Sequence, residues 1–505
     1  IGVRMKRSSG ILLPITSLPS KYGVGCFDAC AYQFVDQLVK AGQTYWQILP
    51  MGPTGYGDSP YQAFSTFAGN PYFISLEQLV KKGYLSEEDC AEAAEGTEES
   101  SVHYDVLYRK RFAVLRKAYQ TSDIENDAEY QRFLRNNQDW LPDYALFMAI
   151  KDSKKGKSYL TWEEDIRLRK KEVMAVYRDK LSEEVAFYQF LQYEFTCQWT
   201  SLKRYANDKG VFIIGDIPIY VALDSADTWA HPELFQFDAK GEPIGVAGCP
   251  PDAFSETGQL WGNPLYDWET HRKDGYAWWV ERIRKCCQWY DMVRIDHFRG
   301  FDEYYSIPYG EDTAENGRWE KGPGLELFSA LRQQLGNLPI IAEDLGFLTD
   351  SVRKLLKDCD FPGMKVLQFA FDSREDSDYL PYRYGKNSVV YTGTHDNATT
   401  YGWWDELTEE DKSVALRYLN RSEKTSREEL TGDLVCLALA SVSDLCVIPM
   451  QDYLCLSNEA RINTPSTIGC NWQWRMRKDA FSDKLCGKIY DKTKLYGRLM
   501  TVTQG

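Results

Sequence analysis

The sequence predicts an α/β fold in which eight parallel strands alternate with helices and close into a barrel. Three observations support this prediction: short apolar runs recur along the chain, segments of helical periodicity separate them, and most of the runs end in polar or acidic residues. The predicted strands are residues 10–17, 44–51, 211–216, 291–296, 339–344, 365–372, 388–396 and 445–452. An open, doubly wound sheet is the alternative for the same pattern.

The segments between the predicted strands have apolar residues spaced by three and four, which is typical of helices packed on a sheet. The clearest predicted helices are residues 31–41, 183–209, 276–290, 324–335, 350–356 and 409–419. Two gaps are too long for one crossover helix, because about 160 residues follow the second strand and about 75 follow the third. The sequence therefore predicts one catalytic domain over residues 1–505 with two inserted subdomains, at approximately 52–209 and 220–289.

The two predicted insertions differ in composition. The first is mostly helical and rich in charge, whereas the second contains GVAGCPPDAFSETGQLWGNPLYDW at residues 245–268. This stretch has so many Gly, Pro and aromatic residues that we expect neither helix nor strand there, and we expect it to form a lid on the active site.

Charge and hydropathy exclude several classes of partner. Lys and Arg number 59 against 74 Asp and Glu, and the resulting net charge of −15 repels nucleic-acid phosphates and anionic membranes. The most apolar stretch, residues 434–442, is too short to span a bilayer, and the first residues lack a long apolar signal core. We expect no nucleic acid, no membrane and a cytoplasmic location.

Cysteines and aromatic residues give two further indications. The 13 cysteines lack the paired spacing of zinc sites, so we expect reduced thiols, no metal and no cofactor. Aromatic residues make up 14% of the chain, and several lie in loop-like sequence rich in Gly and Pro. Sugar rings stack on such side chains, although packing is the commoner role of any single one.

Three of the predicted strands end in acidic residues within dense polar motifs. The motifs are RIDHFRG at residues 294–300, AEDLG at 342–346 and GTHDNAT at 393–399. Because all strands of a parallel barrel end at one face, we expect Asp296, Glu343 and Asp396 to form a carboxylate cluster there. A helix cap is the simpler role for one such acid, but three together favour catalysis. His297 should point the opposite way on an extended strand, where we expect a structural hydrogen bond.

A cluster of this kind suits the cleavage of glycosidic bonds, because one carboxyl must protonate the leaving oxygen while another meets the charge on the anomeric carbon. Arg294 precedes Asp296 by two residues, on the same face of the strand, and should keep it ionised as the nucleophile. Glu343 is the expected general acid/base, since the nearby Asp296 charge raises its pKa. Asp396, beside His395, is expected to bind sugar hydroxyls.

Further candidates follow the second and third strands. Asp216 ends the third strand in GDIPIY, although a turn residue is the simpler reading. The motif GPTGYGDSPYQ follows the second strand and offers Tyr56, Ser59 and Tyr61. Tyr61 is the expected platform under a sugar ring, whereas packing is an equal explanation for Tyr56.

Together, the motifs GPTGYGDSPYQ, GDIPIYV, PPDAFSETGQLWGNPLYDW, VRIDHFRG, IIAEDLG and YTGTHDNAT closely resemble those of glycoside hydrolase family 77, the 4-α-glucanotransferases called amylomaltases or disproportionating enzymes. The resemblance extends over about residues 10–474, with the six motifs in the same order. It implies a TIM (β/α)8 barrel of the α-amylase clan, with large insertions after strands two and three and no separate C-terminal β domain.

The resemblance also implies residue roles. Asp296 matches the nucleophile, Glu343 the acid/base and Asp396 the transition-state stabiliser. The implied substrate-binding residues are Tyr61, Asp216, Arg294 and His395 around the cleaved sugar, Gln259 and Trp261 on the loop over the acceptor side, Asp372 at the end of strand six as an acceptor contact, Ser59 and Asn463 on the donor side, and Tyr56 in a second glucan site.

The implied reaction is a retaining transfer of an α-1,4-glucan segment to the 4-hydroxyl of another glucan or glucose, through a covalent glycosyl-Asp296 ester. The expected partners are maltooligosaccharides, amylose, starch or glycogen, and the expected state is monomer or homodimer. The alternatives are an α-glucan hydrolase of the same clan, a non-catalytic glucan-binding protein, and a metal-dependent hydrolase. The ligands in the last case would be Asp296, His297, Glu343, His395 and Asp396.

Overall fold

The structure is a computed structural model that describes residues 5–55, 57–252, 255–346 and 348–500. The strands are β1 (Ser8–Leu12), β2 (Tyr45–Gln47), β3 (Phe212–Pro218), β4 (Gly245–Cys249), β5 (Gln259–Pro264), β6 (Met292–Asp296), β7 (Glu303–Pro308), β8 (Arg318–Lys321), β9 (Ile340–Ala342), β10 (Gly363–Val366), β11 (Ser388–Tyr391) and β12 (Leu445–Pro449).

The helices are α1 (Ala29–Lys40), α2 (Leu76–Lys81), α3 (Glu87–Ala94), α4 (Tyr104–Ser122), α5 (Ala128–Asn136), α6 (Leu141–Ser153), α7 (Glu164–Arg167), α8 (Lys171–Lys180), α9 (Ser182–Asp208), α10 (Ala226–Ala230), α11 (Trp268–Lys273), α12 (Ala277–Trp289), α13 (Leu325–Leu335), α14 (Asp350–Cys359), α15 (Thr400–Glu406), α16 (Glu409–Tyr418), α17 (Arg427–Ala440), α18 (Met450–Tyr453) and α19 (Asp483–Leu495).

Eight parallel strands form a nearly closed barrel in the neighbour order β10, β11, β12, β1, β2, β3, β6 and β9. The two end strands meet where the Ala342 N–H donates to the Pro362 carbonyl at 3.0 Å. The predicted barrel is therefore confirmed, with its strands in the predicted order along the chain. All eight strands have their carboxyl ends on one face, which is the face that carries the active site in barrels of this type.

The barrel strands are buried on both faces, which explains why they read as continuous apolar runs in the sequence. Every residue of β1 and β12 is buried. The side chains that fill the barrel interior are large and mostly apolar. They include Leu12, Ile214, Ile341, Met364, Val366, Val389, Tyr391, Leu445 and Val447. A second, larger core lies between the barrel and the helices that cover it.

The helices begin at capping residues that the sequence carries. Thr349 accepts a hydrogen bond from the Val352 N–H at the start of α14, and Ser426 forms a capping box with Glu429 at the start of α17. The six clearest predicted helices correspond to α1, α9, α12, α13, α14 and α16, with ends that differ by three residues or fewer. Over the described ranges, none of the helices is long and apolar enough to cross a bilayer.

The expectation that residues 245–268 form neither helix nor strand is wrong. They contain β4 and β5, which pair antiparallel and join a four-stranded sheet in the order β5, β4, β7, β8. A Cβ atom on Gly248 would lie 2.2 Å from the Gln259 carbonyl oxygen, so glycine permits the close pairing of the two strands. The other partner of β4 is β7, which begins at Glu303, more than 50 residues after β4 ends, so the local composition of residues 245–268 gives no indication of it.

The predicted end of the sixth strand is also wrong. The prediction extended it to residue 372, but β10 ends at Val366 and a 3-10 turn follows at Leu367–Phe369. The strand starts early because the Met364 N–H donates to Asp344 Oδ1 at 2.7 Å, which fixes this strand to the end of β9. Asp372 therefore lies on a loop six residues beyond the strand rather than at its end.

We predict that Gly363→Ala destabilises the barrel. A Cβ atom at residue 363 would lie 2.3 Å from Asp344 Oδ2, and this carboxylate is held by its bond to Met364. The free energy of unfolding should fall by about 1–3 kcal/mol, as for overpacked sites. Thermal unfolding measures the effect. Gly385→Ala is the matched control, because a Cβ atom there meets nothing within 4 Å. Equal melting temperatures for the two variants would contradict the prediction.

Candidate active site

Two of the predicted acids lie at the carboxyl ends of barrel strands, since Asp296 is the last residue of β6 and Glu343 directly follows β9. Asp396 was predicted to end the seventh strand, but β11 ends at Tyr391 and Asp396 lies on the loop that follows it. Asp216 lies within β3, where it is paired in register with Arg294 of β6. The fold therefore places these side chains at one face of the barrel, as the sequence predicts.

Arg294 is the charged centre of the site. Its Nη1 donates to both oxygens of Asp216 at 2.9 Å, and its Nη2 donates to Asp296 Oδ1 at 2.9 Å. The predicted contact between Arg294 and Asp296 is therefore present. The Asp216 side chain is fully buried, whereas that of Asp296 is 32% exposed. One carboxylate thus neutralises the buried guanidinium, and the other presents its negative charge to the open end of the barrel.

Tyr61 connects Asp216 to His395. Its hydroxyl donates to Asp216 Oδ2 at 2.7 Å and lies 2.8 Å from His395 Nε2, and the two rings stack at a centroid distance of 5.2 Å. Because the Tyr61 proton goes to Asp216, His395 Nε2 must carry a proton to bond the Tyr61 oxygen. The same nitrogen lies 3.3 Å from Asp396 Oδ2, and Asn463 Nδ2 donates to Asp396 Oδ1 at 2.7 Å. A continuous chain of polar contacts therefore runs from Asp396 to Asp296.

The neighbours of Asp396 keep it ionised. Burial favours its neutral form, but the adjacent His395 and the hydrogen bond from Asn463 hold the pKa of Asp396 well below its usual range. Burial also lowers the pKa of His395, yet the Asp396 carboxylate raises that pKa above its ordinary value overall. The two groups therefore stabilise each other's charged forms.

Glu343 has a different environment. Its Oε2 accepts the His297 backbone N–H at 2.8 Å and its Oε1 accepts the Leu345 backbone N–H at 2.7 Å. Burial of the carboxyl, and next the negative charge of Asp296, raise its pKa to about 7, although Arg294 and the two N–H donors oppose the rise. The sequence predicted the effect of Asp296, but the larger cause is burial. Near neutral pH, Glu343 can thus exist with or without its proton.

The backbone at His297 differs from the prediction. This residue does not continue an extended strand but has a left-handed conformation, with φ of 54°. The turn directs its N–H to Glu343, which an extended backbone at this position would not do. Its ring contacts the Trp261 ring edge-on at 4.7 Å, and burial lowers its pKa to about 4, so the imidazole is neutral near pH 7. His297 therefore contacts both Glu343, through its backbone N–H, and Trp261 of β5, through its ring.

Four of the remaining predicted residues, Trp261, Gln259, Ser59 and Asp372, have contacts of their own. Trp261 and Gln259 are on β5, where the Trp261 Nε1–H donates to Gln259 Oε1 at 3.1 Å. Ser59 Oγ accepts the Tyr61 N–H at 3.3 Å. Both oxygens of Asp372 accept hydrogen bonds from Arg374, so this carboxylate belongs to a separate ion pair. Tyr56 lies outside the described residues.

Sequence reasoning missed three contributors to the site. Two are the backbone N–H donors to Glu343, since a main-chain group leaves no trace in residue type. The third is Arg461, whose Nη2 donates to the Asp396 carbonyl at 2.7 Å. The one feature of the sequence that could have indicated a role for Arg461 is its position two residues before Asn463. In the part of the chain that the structure describes, no three His, Cys, Asp or Glu side chains are grouped so as to hold a metal ion.

The arrangement suits the chemistry of acetal bonds. Asp296 is a carboxylate fixed by a guanidinium, and Glu343 is a carboxyl that can hold a proton near pH 7. One group can attack or stabilise a cationic carbon while the other donates a proton to the departing oxygen. Asp396 and His395 add hydrogen-bonding groups next to them.

Comparisons with known proteins agree with this chemistry. A family profile described as 4-alpha-glucanotransferase, glycoside hydrolase family 77, matches residues 13–480. A 4-alpha-glucanotransferase of Clostridium butyricum is 49% identical over 486 residues, which cover 96% of this chain and 99% of that protein. One from Streptococcus pneumoniae is 47% identical over 500 residues, covering 98% of each chain.

A solved structure is similar over the whole chain. The amylomaltase from Streptococcus agalactiae in complex with acarbose has a TM-score of 0.94 and 42% sequence identity, and the match covers 98% of this chain and 100% of that one.

We predict that Asp296→Asn lowers the pKa of Glu343 from about 7, because the variant removes a neighbouring negative charge. The pKa should stay above the ordinary glutamate value of 4.5, since burial is the larger cause of the rise. Titration of 13C-labelled glutamate carboxyls by NMR measures it, with Glu343→Gln to assign the signal. Asp376→Asn, an exposed carboxylate, is the control. A pKa that is equal in the Asp296→Asn and control proteins would contradict the prediction.

Proposed function

This chain belongs to glycoside hydrolase family 77, the 4-alpha-glucanotransferases, and on that basis we propose a retaining mechanism in which Asp296 is the nucleophile and Glu343 the general acid/base. The chain is an enzyme that transfers segments of α-1,4-glucans from one glucan to another. The observation that carries the proposed mechanism is the difference between its two central carboxyls. Asp296 is bonded to a buried guanidinium, whereas the pKa of Glu343 is raised to about 7.

In the first step, an oxygen of Asp296 attacks the anomeric carbon of the donor glucan. The bond between this carbon and the glycosidic oxygen breaks, and Glu343 gives its proton to that oxygen, so that the remainder of the glucan leaves with a free 4-hydroxyl. The donor segment stays bound as a glycosyl-Asp296 ester. Arg294 supports this step by fixing the orientation of the carboxylate.

In the second step, the 4-hydroxyl of an acceptor glucan or of glucose attacks the same carbon. Glu343, now ionised, takes the hydroxyl proton, the ester bond breaks, and Asp296 is restored as a carboxylate. Two inversions give net retention, which requires the two carboxyls to lie about 5–5.5 Å apart. In this proposal Asp396 and His395 hold ring hydroxyls of the donor sugar and bind them more tightly as the ring flattens.

Substrate contacts extend the proposal on both sides. Tyr61 is the platform below the cleaved sugar, and Ser59 and Asn463 are donor-side contacts. Trp261 and Gln259 cover the acceptor side, where an acceptor sugar would also meet the ion pair of Asp372 with Arg374. Trp261 is supported in this role by its contact with His297, because the pair forms one wall next to Glu343.

The wider assignments are also proposals. We take residues 1–505 as one catalytic barrel with inserted subdomains at approximately 52–209 and 220–289, the second acting as a lid. A cytoplasmic location is supported by the thiols, since all 13 cysteines are free of disulfide bonds. We propose that the enzyme works without a metal or other cofactor, as a monomer or homodimer.

We predict that maltotriose is converted to glucose together with longer maltooligosaccharides, and that Asp296→Ala lowers this transfer by more than about 10⁴-fold, because no ester can form. Glu343→Ala should lower the rate of transfer by about 10²–10⁴-fold. With an α-maltosyl fluoride donor, whose leaving group needs no proton, Glu343→Ala should accumulate an adduct on Asp296 that peptide mass spectrometry detects.

Controls separate the outcomes of that experiment. Circular dichroism and thermal unfolding establish that each variant is folded. Asp296→Ala should give no adduct with the fluoride donor. An adduct on another residue, or substantial transfer by Asp296→Ala, would contradict the proposed roles, and products that are all shorter than maltotriose would indicate a hydrolase.

We predict that Trp261→Ala shifts the fate of the glycosyl-enzyme from transfer towards hydrolysis. Loss of the indole opens the wall beside Glu343, so water competes better with the acceptor. The ratio of released glucose to longer products should change by about tenfold, which corresponds to about 1.4 kcal/mol. Trp319→Ala is the control, since Trp319 is exposed on the opposite edge strand of the same sheet. An equal product ratio in the two variants would count against the lid.

A further inference from the structure

The segment from the end of β11 to the first residue of α15, residues 392–400, carries His395 and Asp396 and is held at both ends by one buried carboxylate. Asp452 Oδ2 accepts the hydroxyl of Thr392 at 2.5 Å and that of Thr400 at 2.6 Å, and its Oδ1 accepts the Thr400 N–H at 2.8 Å. We refer to residues 392–400 as the Asp396 loop. The contacts of Asp452 fix where this loop starts and ends, but they do not reach its centre.

The centre of the Asp396 loop is held by a second segment, which follows β12. Arg461 Nη2 donates to the Asp396 carbonyl at 2.7 Å, and Arg461 Nε donates to the Asn463 carbonyl at 2.8 Å. The Asn463 N–H donates to the His395 carbonyl at 3.1 Å, while its amide side chain donates to Asp396 Oδ1. One guanidinium thus joins the backbone of the third acid to the backbone of the residue that binds its carboxylate.

The other side of the Arg461 guanidinium is fixed as well. Its Nη1 lies 3.3 Å from Glu406 Oε1, at the last residue of α15, and Asn458 Nδ2 donates to the same oxygen at 3.2 Å. The Arg461 side chain is 19% exposed. Because its donors lie in one plane and each has a different acceptor, the guanidinium has one orientation, which a lysine ammonium could not reproduce.

We propose that Arg461 is a positioning residue for the transferase reaction, setting the location of the Asp396 carboxylate relative to the donor sugar. The inference rests on the proposed role of Asp396 in stabilising the transition state. Arg461 touches no reacting atom in this proposal. It acts by holding Asp396 and Asn463 at one separation, so that the carboxylate keeps both its amide partner and its direction.

The reason for an effect on rate is geometric. Contacts that strengthen in the transition state lose their value when the groups move by about 1 Å, and such a displacement can cost about 100-fold in rate. Without Arg461, the Asp396 loop would keep its ends on Asp452 and its contacts with Asn463, but it would lose the bond to the Asp396 carbonyl, and Asn463 would lose the bond to its own carbonyl. The ground-state binding of a glucan, which depends on many other contacts, should change little.

The test compares Arg461→Met and Arg461→Lys with Arg427→Met, in the full chain, using maltotriose as donor and acceptor. Arg427 is a matched control, since it also donates to a backbone carbonyl, that of Tyr401 at 3.1 Å, and also pairs with a carboxylate of α15, that of Asp405. It contacts none of the site residues described above. We expect kcat to fall by about 10–100-fold in Arg461→Met with KM within about threefold of the parent value. Arg461→Lys should recover little of the loss, and Arg427→Met should be near the parent.

A double-mutant cycle with Asn463→Ala measures a coupling energy that a general loss of stability would not produce. Both side chains act on the Asp396 carboxylate, so Arg461→Met should lower kcat by a much smaller factor in the Asn463→Ala background than in the parent. In the Arg427→Met control, the effects should multiply. Thermal unfolding is measured for every variant, and if Arg461→Met does not fold, Arg461→Lys takes its place in the cycle.

The results separate the two levels of the proposal. Three outcomes would each overturn the inference. The first is a full kcat in folded Arg461→Met or Arg461→Lys, and the second is a loss of kcat equal to that of Arg427→Met. The third is that the effects of Arg461→Met and Asn463→Ala on kcat multiply. Asp396→Asn tests the role on which it rests. If Asp396→Asn keeps its activity, the proposed function of the third acid is wrong, whereas an inactive Asp396→Asn beside a fully active Arg461→Met refutes the positioning role alone.

Discussion

The site depends on one buried cation shared by two carboxylates. Arg294 is almost fully buried, and a guanidinium in that position is tolerable only if its charge is matched by hydrogen-bonded anions. Asp216 supplies one anion from the neighbouring strand and is itself fully buried. The second anion, Asp296, therefore leaves a net negative charge at the open end of the barrel. This charge contributes to the high pKa of Glu343, so one ion triad both holds Asp296 and acts on Glu343.

The rest of the site extends the same principle by hydrogen bonds. The Tyr61 hydroxyl contacts both Asp216 and His395, so it fixes these two side chains relative to each other. His395 and Asn463 in turn contact the two oxygens of the Asp396 carboxylate. The groups come from β3 and from the segments that follow β2, β11 and β12, and three of these four contacts join two different segments. Such a network makes the positions of the acids interdependent.

The sequence predicted the barrel because its strands are buried on both sides and read as short apolar runs. It also placed Asp296 and Arg294 in contact, since the alternation of side chains along a strand is a local property. The pairing of β4 with β7 could not be predicted, because residues 245–249 obtain their strand conformation from a distant segment. The left-handed backbone at His297 was not predicted for a related reason, since its N–H is oriented by a tertiary hydrogen bond to Glu343.

The two partners of the Glu343 carboxyl have a consequence for protein engineering. Both are main-chain amides, at residues 297 and 345, and a change of side chain cannot delete them. Attempts to move the working pH of this enzyme by removing a hydrogen bond from its acid will thus find no side chain to remove. The remaining causes of its pKa are the charges of Asp296 and Arg294, both of which the proposed mechanism uses, and the depth of burial. Redesign for acidic or alkaline processes should therefore concentrate on the aromatic wall formed by Trp261 and His297.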